Sequence, residues 1–254
     1  MSSENNCDNQ TKSKRFYGRR HGRPMGKTRR FTVDELLPKV KIDQSLLHEQ
    51  QSVSPAEIFG NDNPVWLEIG FGSGEHLHGL MKVHQQVNFL GCEPFVNGMS
   101  CFLKSLYGLE PDENEPDTDI SKSLEHHNVK VIMDDAFFLV NSLQDDSVDR
   151  IYVLNPDPWP KKRHHKRRII NPSNLDKLGR ILKRDGLLIM STDVDELADW
   201  MFEQADNHEK FACEPSLRNK INRYEQPKGW IETRYEIKGR EAKRQQSYLV
   251  FYKI

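Results

Sequence analysis

From residue 65 onward the chain alternates short apolar runs with longer amphipathic stretches, and that alternation predicts an architecture. Val65-Trp66-Leu67-Glu68-Ile69 reads as a strand, followed by the turn Gly70-Phe71-Gly72-Ser73-Gly74 and a helix from Glu75 to about Val83. Asn88 to Cys92 is a second strand ending at Glu93, and Val96 to Tyr107 a second helix. Val129 to Met133 forms a third strand, ending in Asp134-Asp135-Ala136 with a helix after it, and Val148 to Leu154 a fourth. Leu175, Leu178, Ile181 and Leu182 have helical spacing within Pro172 to Leu182. Gly186 to Ser191 is a fifth strand with Asp193 just beyond its end, Val194 to Asn207 a helix, and Tyr248 to Ile254 a last strand. Runs of four to seven apolar residues suit strands, and i, i+3, i+4 spacing suits helices. Strands and helices in this order predict an α/β fold, a mostly parallel sheet with helices on both faces. Phe31 to Val40 and Leu46 to Glu57 read as short mixed segments packed against the domain edge.

The loop after the fourth strand breaks the pattern. Asn155-Pro156-Asp157-Pro158-Trp159-Pro160 places three prolines among five residues, so the chain leaves the sheet as a stiff, extended loop. From Lys161 to Arg168 every residue is Lys, Arg or His, with no acidic residue between them. A solvated helix face normally mixes charge signs at helical spacing. The run therefore reads as a cationic ledge, with Trp159 either a platform for a base or a packing residue.

Net charge over the 254 residues is −1, so overall charge says nothing about nucleic acid, but its distribution does. Lys12 to Arg30 holds nine Lys/Arg and no Asp or Glu, whereas Glu110 to Asp119 is strongly acidic. Segregation of this kind suits one face built for an anionic partner. Residues 1–30 read as a flexible basic arm whose Phe16 and Tyr17 suit stacking on bases, and 31–254 as a single domain. Cys7, Cys92, Cys101 and Cys213 form no C-x-x-C pair, so neither a zinc site nor a disulfide framework is expected. No apolar run reaches the roughly 18–20 residues of a membrane span, and the N-terminus lacks a signal-like apolar stretch. A cytoplasmic protein is expected, with no metal.

In open α/β sheets ligands sit at the carboxyl ends of the strands. Glu68, Glu93, Asp135, Asp157 and Asp193 fall at five such ends. A dinucleotide fingerprint would want glycine at position 75, where this chain has Glu75; a carboxylate there, and Glu68 before the first glycine, would repel a pyrophosphate. Acids suit S-adenosylmethionine, a nucleoside cofactor that carries positive charge and no phosphate. Glu93 could accept both ribose hydroxyls, and Asp135 the adenine amino group.

These residues resemble one family, the bacterial tRNA (guanine-N7)-methyltransferases. The carriers are Glu68 to Gly74, the Pro156 to Lys161 run, Arg163-His164 with Lys166-Arg167-Arg168, Ser191-Thr192-Asp193, and Thr233-Arg234-Tyr235-Glu236, with the arm from Arg15 to Pro24. The resemblance implies a Rossmann-like class I methyltransferase fold with an antiparallel C-terminal strand, and a guanine of the tRNA variable loop as target. It also implies that Glu68, Gly70, Gly72, Gly74, Glu93, Asp135, Ala136 and Asp157 hold the cofactor. Asp157 would be catalytic, and Lys161, Asp193, Thr233, Arg234, Tyr235 and Glu236 would meet the substrate. Lys162, Arg163, His164, His165, Lys166 and Arg167, with Arg19, Arg20 and Arg23 of the arm, would contact RNA, in an enzyme either monomeric or homodimeric. After Glu236 the family commonly has a glycine several residues on, where this chain reads Arg240-Glu241-Ala242-Lys243-Arg244. Three other readings stay open at this point: another S-adenosylmethionine-dependent methyltransferase, a nicotinamide-dependent oxidoreductase, and a non-catalytic RNA-binding protein.

Overall fold

The computed structural model of the chain describes residues 26–47, 52–109 and 128–254. The arm with Arg19, Arg20 and Arg23, and the acidic stretch from Glu110 to Asp119, lie outside them.

Seven strands form one sheet: β1 Val65–Ile69, β2 Asn88–Cys92, β3 Val129–Ile132, β4 Val148–Leu154, β5 Leu182–Thr192, β6 Phe211–Cys213 and β7 Ser247–Lys253, in the order β3-β2-β1-β4-β5-β7-β6. The pairings from β3 through β5 are parallel. β7 lies antiparallel between β5 and β6. This is the Rossmann-like class I methyltransferase arrangement with a reversed last strand.

Side chains along each central strand alternate between two cores. Val65, Leu67 and Ile69 of β1 face one cluster, with Leu139 and Val140 from the helix Ala136–Ser142, Leu175 and Leu178 from Pro172–Ile181, and Leu197 and Met201 from Asp195–Asp206. Trp66 faces the other, with Leu77 and Leu80 of the helix Glu75–Val83 and Met99, Phe102 and Leu103 of Val96–Leu106. The helices in chain order are α1 (Lys27–Phe31), α2 (Leu37–Val40), α3 (Pro55–Phe59), α4 (Glu75–Val83), α5 (Val96–Leu106), α6 (Ala136–Ser142), α7 (Pro172–Ile181), α8 (Asp195–Asp206) and α9 (Arg234–Glu241). A strand that buries both faces cannot alternate apolar with polar. That is why these segments read as short continuous apolar runs.

The pattern missed four things, each for a physical reason. Phe31 to Val40, expected only as a short mixed segment packed at the domain edge, is helical: α1, a π-helical turn Thr32–Leu36 and α2 form one stretch that buries Leu36, Leu37 and Val40. β5 begins at Leu182, which the spacing assigned to the preceding helix, because Lys183, Arg184 and Asp185 interrupt the apolar run. There the pairing with β4 shifts register, and Asp185 turns at φ 61°. β6 has only three residues, too few for a periodicity. The helix α9 was not foreseen, because its surface is polar and it buries only Glu236 and Gly239.

The end of α9 shows how the chain turns where the resemblance led one to expect a glycine. Lys243 adopts φ 57°, with its N–H on the Arg240 carbonyl, and the Arg244 N–H reaches back to the Gly239 carbonyl. These two bonds make a Schellman cap, for which glycine is the usual residue. Lysine fills the left-handed position here, and the turn throws Arg244 back along the helix.

Candidate functional site

The loop from Gly70 to Gly74 leaves β1 through three left-handed glycines, at φ 74°, 56° and 76°. A Cβ on Gly74 would sit 2.3 Å from the Phe102 ring, and one on Gly98 of α5 would sit 2.5 Å from the Gly72 carbonyl oxygen. The loop is thus tight in itself and closely covered by α5, which brings the end of β2 against it. There Glu93 accepts from the Gly72 N–H and the Phe95 N–H, each at 2.7 Å, one on each carboxylate oxygen. Burial pushes the Glu93 carboxyl above its usual range; the two backbone bonds pull it down, and the charges of Asp157 and Glu68 push it up again. A cation placed there would relieve the crowding of negative charge.

Around this point the strand-end acids form one rim. Glu68, only 3 % exposed, accepts from His76 Nδ1 at 2.8 Å. Asp135 caps α6 through the Phe137 N–H at 2.9 Å, with Ala136 buried beneath it, and its charge joins that of Glu93 in raising the buried Cys92 thiol, behind burial itself. Asp157 is exposed on the loop after β4, near enough to Glu93 on one side and Tyr235 on the other for its charge to raise both. Asp193, its side chain 3 % exposed, lies under α9: Tyr235 Oη donates to it at 3.3 Å and Arg244 Nε stands 3.0 Å away. The five acids therefore follow one another along a single edge.

Glu75 departs from the role expected of it. Its carboxylate takes the Arg234 backbone N–H at 3.1 Å and the Arg234 Nε at 3.0 Å, so its charge is spent on the start of α9. Thr233 and Glu236 form the capping box of that helix. Glu236 is buried and also accepts from Trp230 Nε1 at 3.0 Å and Tyr248 Oη at 3.2 Å. Burial, with Glu236 and Glu232 opposing the Gln226 bond, pushes the Tyr248 phenol up to about 12. Thr233 and Glu236 therefore build the element that presents Arg234 and Tyr235, both exposed.

The proline loop is shaped by Asn155 at φ 46° and Trp159 at φ 44°. Asn155 donates its N–H to the Ser191 carbonyl and accepts from Gln246 Nε2, both at 2.8 Å, which ties the loop to β5 and to the segment before β7. The cationic block is a 3-10 helix over Lys162–Arg167. Lys161, Lys162, Arg163 and Lys166 are exposed; His164, His165 and Arg167 are half-buried. The half-buried Trp159 ring packs against the block, with the Arg167 guanidinium 5.0 Å from its centroid and the His164 ring edge-on at 5.9 Å. Desolvation and the surrounding cations hold His164 below its ordinary 6.5.

Arg168 corrects the expectation that the whole block faces phosphate without an acidic partner. It is 1 % exposed, donates to the Pro158 carbonyl at 2.9 Å, and makes a fork-like pair with both Glu196 oxygens at 3.0 and 2.6 Å. Its guanidinium also lies 4.9 Å from the Trp200 ring of α8. It is an internal strut that fastens the loop to α8. Sequence reasoning also missed His76, Trp230 and Arg244. The acidic partner at 196 was present in the helix pattern, but nothing in spacing ties it to position 168.

Among the described residues no group of three or more His, Cys, Asp or Glu side chains could hold a metal ion, and no helix is long and apolar enough to cross a membrane. Residues 62–249 match a family model described as "Putative methyltransferase". The tRNA (guanine-N(7)-)-methyltransferase of Chelativorans sp. (strain BNC1) is 36% identical over 244 residues, covering 94% of this chain and 95% of that protein. Its counterpart from Bartonella quintana (strain Toulouse) is likewise 36% identical over 244 residues, covering 95% and 96%. Among solved structures, the 16S rRNA methyltransferase KamB superposes with a TM-score of 0.49 at 11% identity, over 81% of this chain and 95% of that one. The match runs along nearly the full length of both chains, and the chain belongs to the tRNA (guanine-N(7)-)-methyltransferase family.

Proposed function

We propose that this chain transfers a methyl group from S-adenosylmethionine to N7 of a guanine in the variable loop of tRNA. The observation that carries the reading is the place of Asp157, between the cofactor-side acid Glu93 and the Tyr235–Asp193 pair on the other side. Glu68, Gly70, Gly72, Gly74, Glu93, Asp135 and Ala136 would hold the cofactor, and the buried Glu93 with its two backbone donors fits a ribose beside a cationic sulfur. When bound, S-adenosylmethionine would supply an electrophilic methyl group on a positively charged sulfur that can leave as a neutral thioether.

Guanine N7 has a lone pair and no proton, so this chain has no proton to remove from the attacking atom. What its residues supply is alignment and a setting that tolerates positive charge on the base. Asp157 would accept from the N1–H and N2–H₂ edge or face the developing charge, and Tyr235 with Asp193 would bound the base on its far side. Lys161 with the exposed cations Lys162, Arg163 and Lys166 would take phosphates, joined by His164, His165 and Arg167 where they emerge, and by Arg19, Arg20 and Arg23 of the arm. Trp159, in contact with Arg167 and His164, would brace the ledge from within the loop.

The test is methyl transfer from labelled cofactor to bulk tRNA, followed by nucleoside analysis. Label in 7-methylguanosine, mapped to the variable loop, supports the reading; label in another nucleoside or none at all overturns it.

A further inference from the structure

His76 makes a buried, directed contact beside the glycine loop that the reaction as described does not use. It stands in the first turn of α4, with Nδ1 2.8 Å from Glu68 Oε2, and the two side chains are 1 % and 3 % exposed. An ionised carboxylate only accepts, so Nδ1 donates. The imidazole is held edge-on by Tyr152 and at a tilt by Trp230, each with ring centroids 4.9 Å apart. Its other nitrogen, Nε2, is buried and has no hydrogen-bond partner among the described residues.

That last feature argues against a role in packing alone. Burying a ring nitrogen without a partner costs free energy that an apolar residue of similar size would avoid. The one polar contact kept at this cost points at Glu68. Glu68 shares the rim with Glu93 and Asp157, and the His76 N–H is the donor that meets its Oε2.

We propose that His76 is a positioning residue for Glu68, fixing the rotamer of that carboxylate beside the glycine loop so that the cationic cofactor can bind. The edge-on Tyr152 ring and the tilted Trp230 ring hold the imidazole in the orientation that the hydrogen bond needs. Trp230 also donates to Glu236 at the start of α9, so the same ring braces the element that faces the substrate. The inference rests on the methyl-donor reading above.

The experiment is calorimetric titration of S-adenosylmethionine, without tRNA, into the full chain carrying His76, His76→Asn, His76→Gln or His76→Leu. Asparagine can place an amide donor near the position of Nδ1; glutamine extends it toward that of Nε2, and leucine has none. The dissociation constant is expected to rise about tenfold in His76→Leu and His76→Gln and to stay within about threefold in His76→Asn. The KM for cofactor should follow while the KM for tRNA stays unchanged. If leucine at this position does not fold, as judged by circular dichroism, the asparagine and glutamine pair decides alone. Unchanged cofactor affinity with only a lower melting temperature, or equal weakening in asparagine and glutamine, overturns the proposal. No binding to the unsubstituted chain would instead remove the methyl-donor reading itself.

Discussion

Arg244 Nε lies 3.0 Å from Asp193 Oδ2, although the two residues are separated by the whole of α8, β6 and α9. The contact exists because the Schellman turn at Lys243 folds Arg244 back over the helix. The same guanidinium lies 5.7 Å from the Tyr235 ring centroid, so one arginine steadies both residues that face the proposed base site. Replacing Arg244 with glutamine is expected to lower kcat/KM for tRNA about tenfold, as loss of the ion-pair partner of a buried carboxylate would. Steady-state kinetics at saturating cofactor would show it, and an unchanged kcat/KM would remove Arg244 from the site.

Asp157→Asn removes charge and keeps shape. With alignment and charge as its contribution, turnover is expected to fall by about two orders of magnitude, the scale of losing one electrostatic stabiliser of a transition state. Cofactor affinity should hold within about threefold. Single-turnover transfer to tRNA, paired with calorimetry of the cofactor, separates the two effects.

Arg168→Ala takes the strut from beneath the proline loop. It leaves the Pro158 carbonyl and the Glu196 carboxylate without their donor and is expected to cost about 2–3 kcal/mol of stability. Arg168→Lys should recover only part of that, since an ammonium cannot reproduce the two-pronged bond to Glu196. Chemical denaturation measures both.

Glu93 sets a pH dependence. Its folded-state pKa is raised above the ordinary 4.5, chiefly by burial. In the empty chain its ionisation therefore opposes folding, and stability on this account rises as pH falls through the folded-state pKa. Cofactor binding has the opposite sign, because it needs the carboxylate. Affinity for S-adenosylmethionine is expected to be level near pH 7 and to weaken on acidification, beginning above 4.5, while a Glu93→Gln chain binds weakly at every pH. Isothermal titration across that range would test it; affinity that is flat in the unsubstituted chain down to 4.5 contradicts the assignment.

Much of the molecule was legible from residue pattern alone. Buried parallel strands read as continuous apolar runs, a glycine turn and a strand-end acid are local features, and those together located Glu68, Glu93, Asp135, Asp157 and Asp193 before any coordinates. The proline run likewise announced a stiff exit from β4. What a linear reading could not reach were contacts between segments far apart in the chain. Arg168 looks like one more cation in a cationic block, and only its enclosure against Pro158, Glu196 and Trp200 makes it internal. Glu75 looks like a ligand-facing acid until Arg234, 159 residues on, claims it. The helix α9 carries no apolar stripe to betray it, because the chain anchors it with a capping box, a buried glutamate and an ion pair. Periodicity reports how a segment meets the sheet; the direction a charged side chain takes depends on which distant partner lowers its desolvation cost, and only the folded chain supplies that partner.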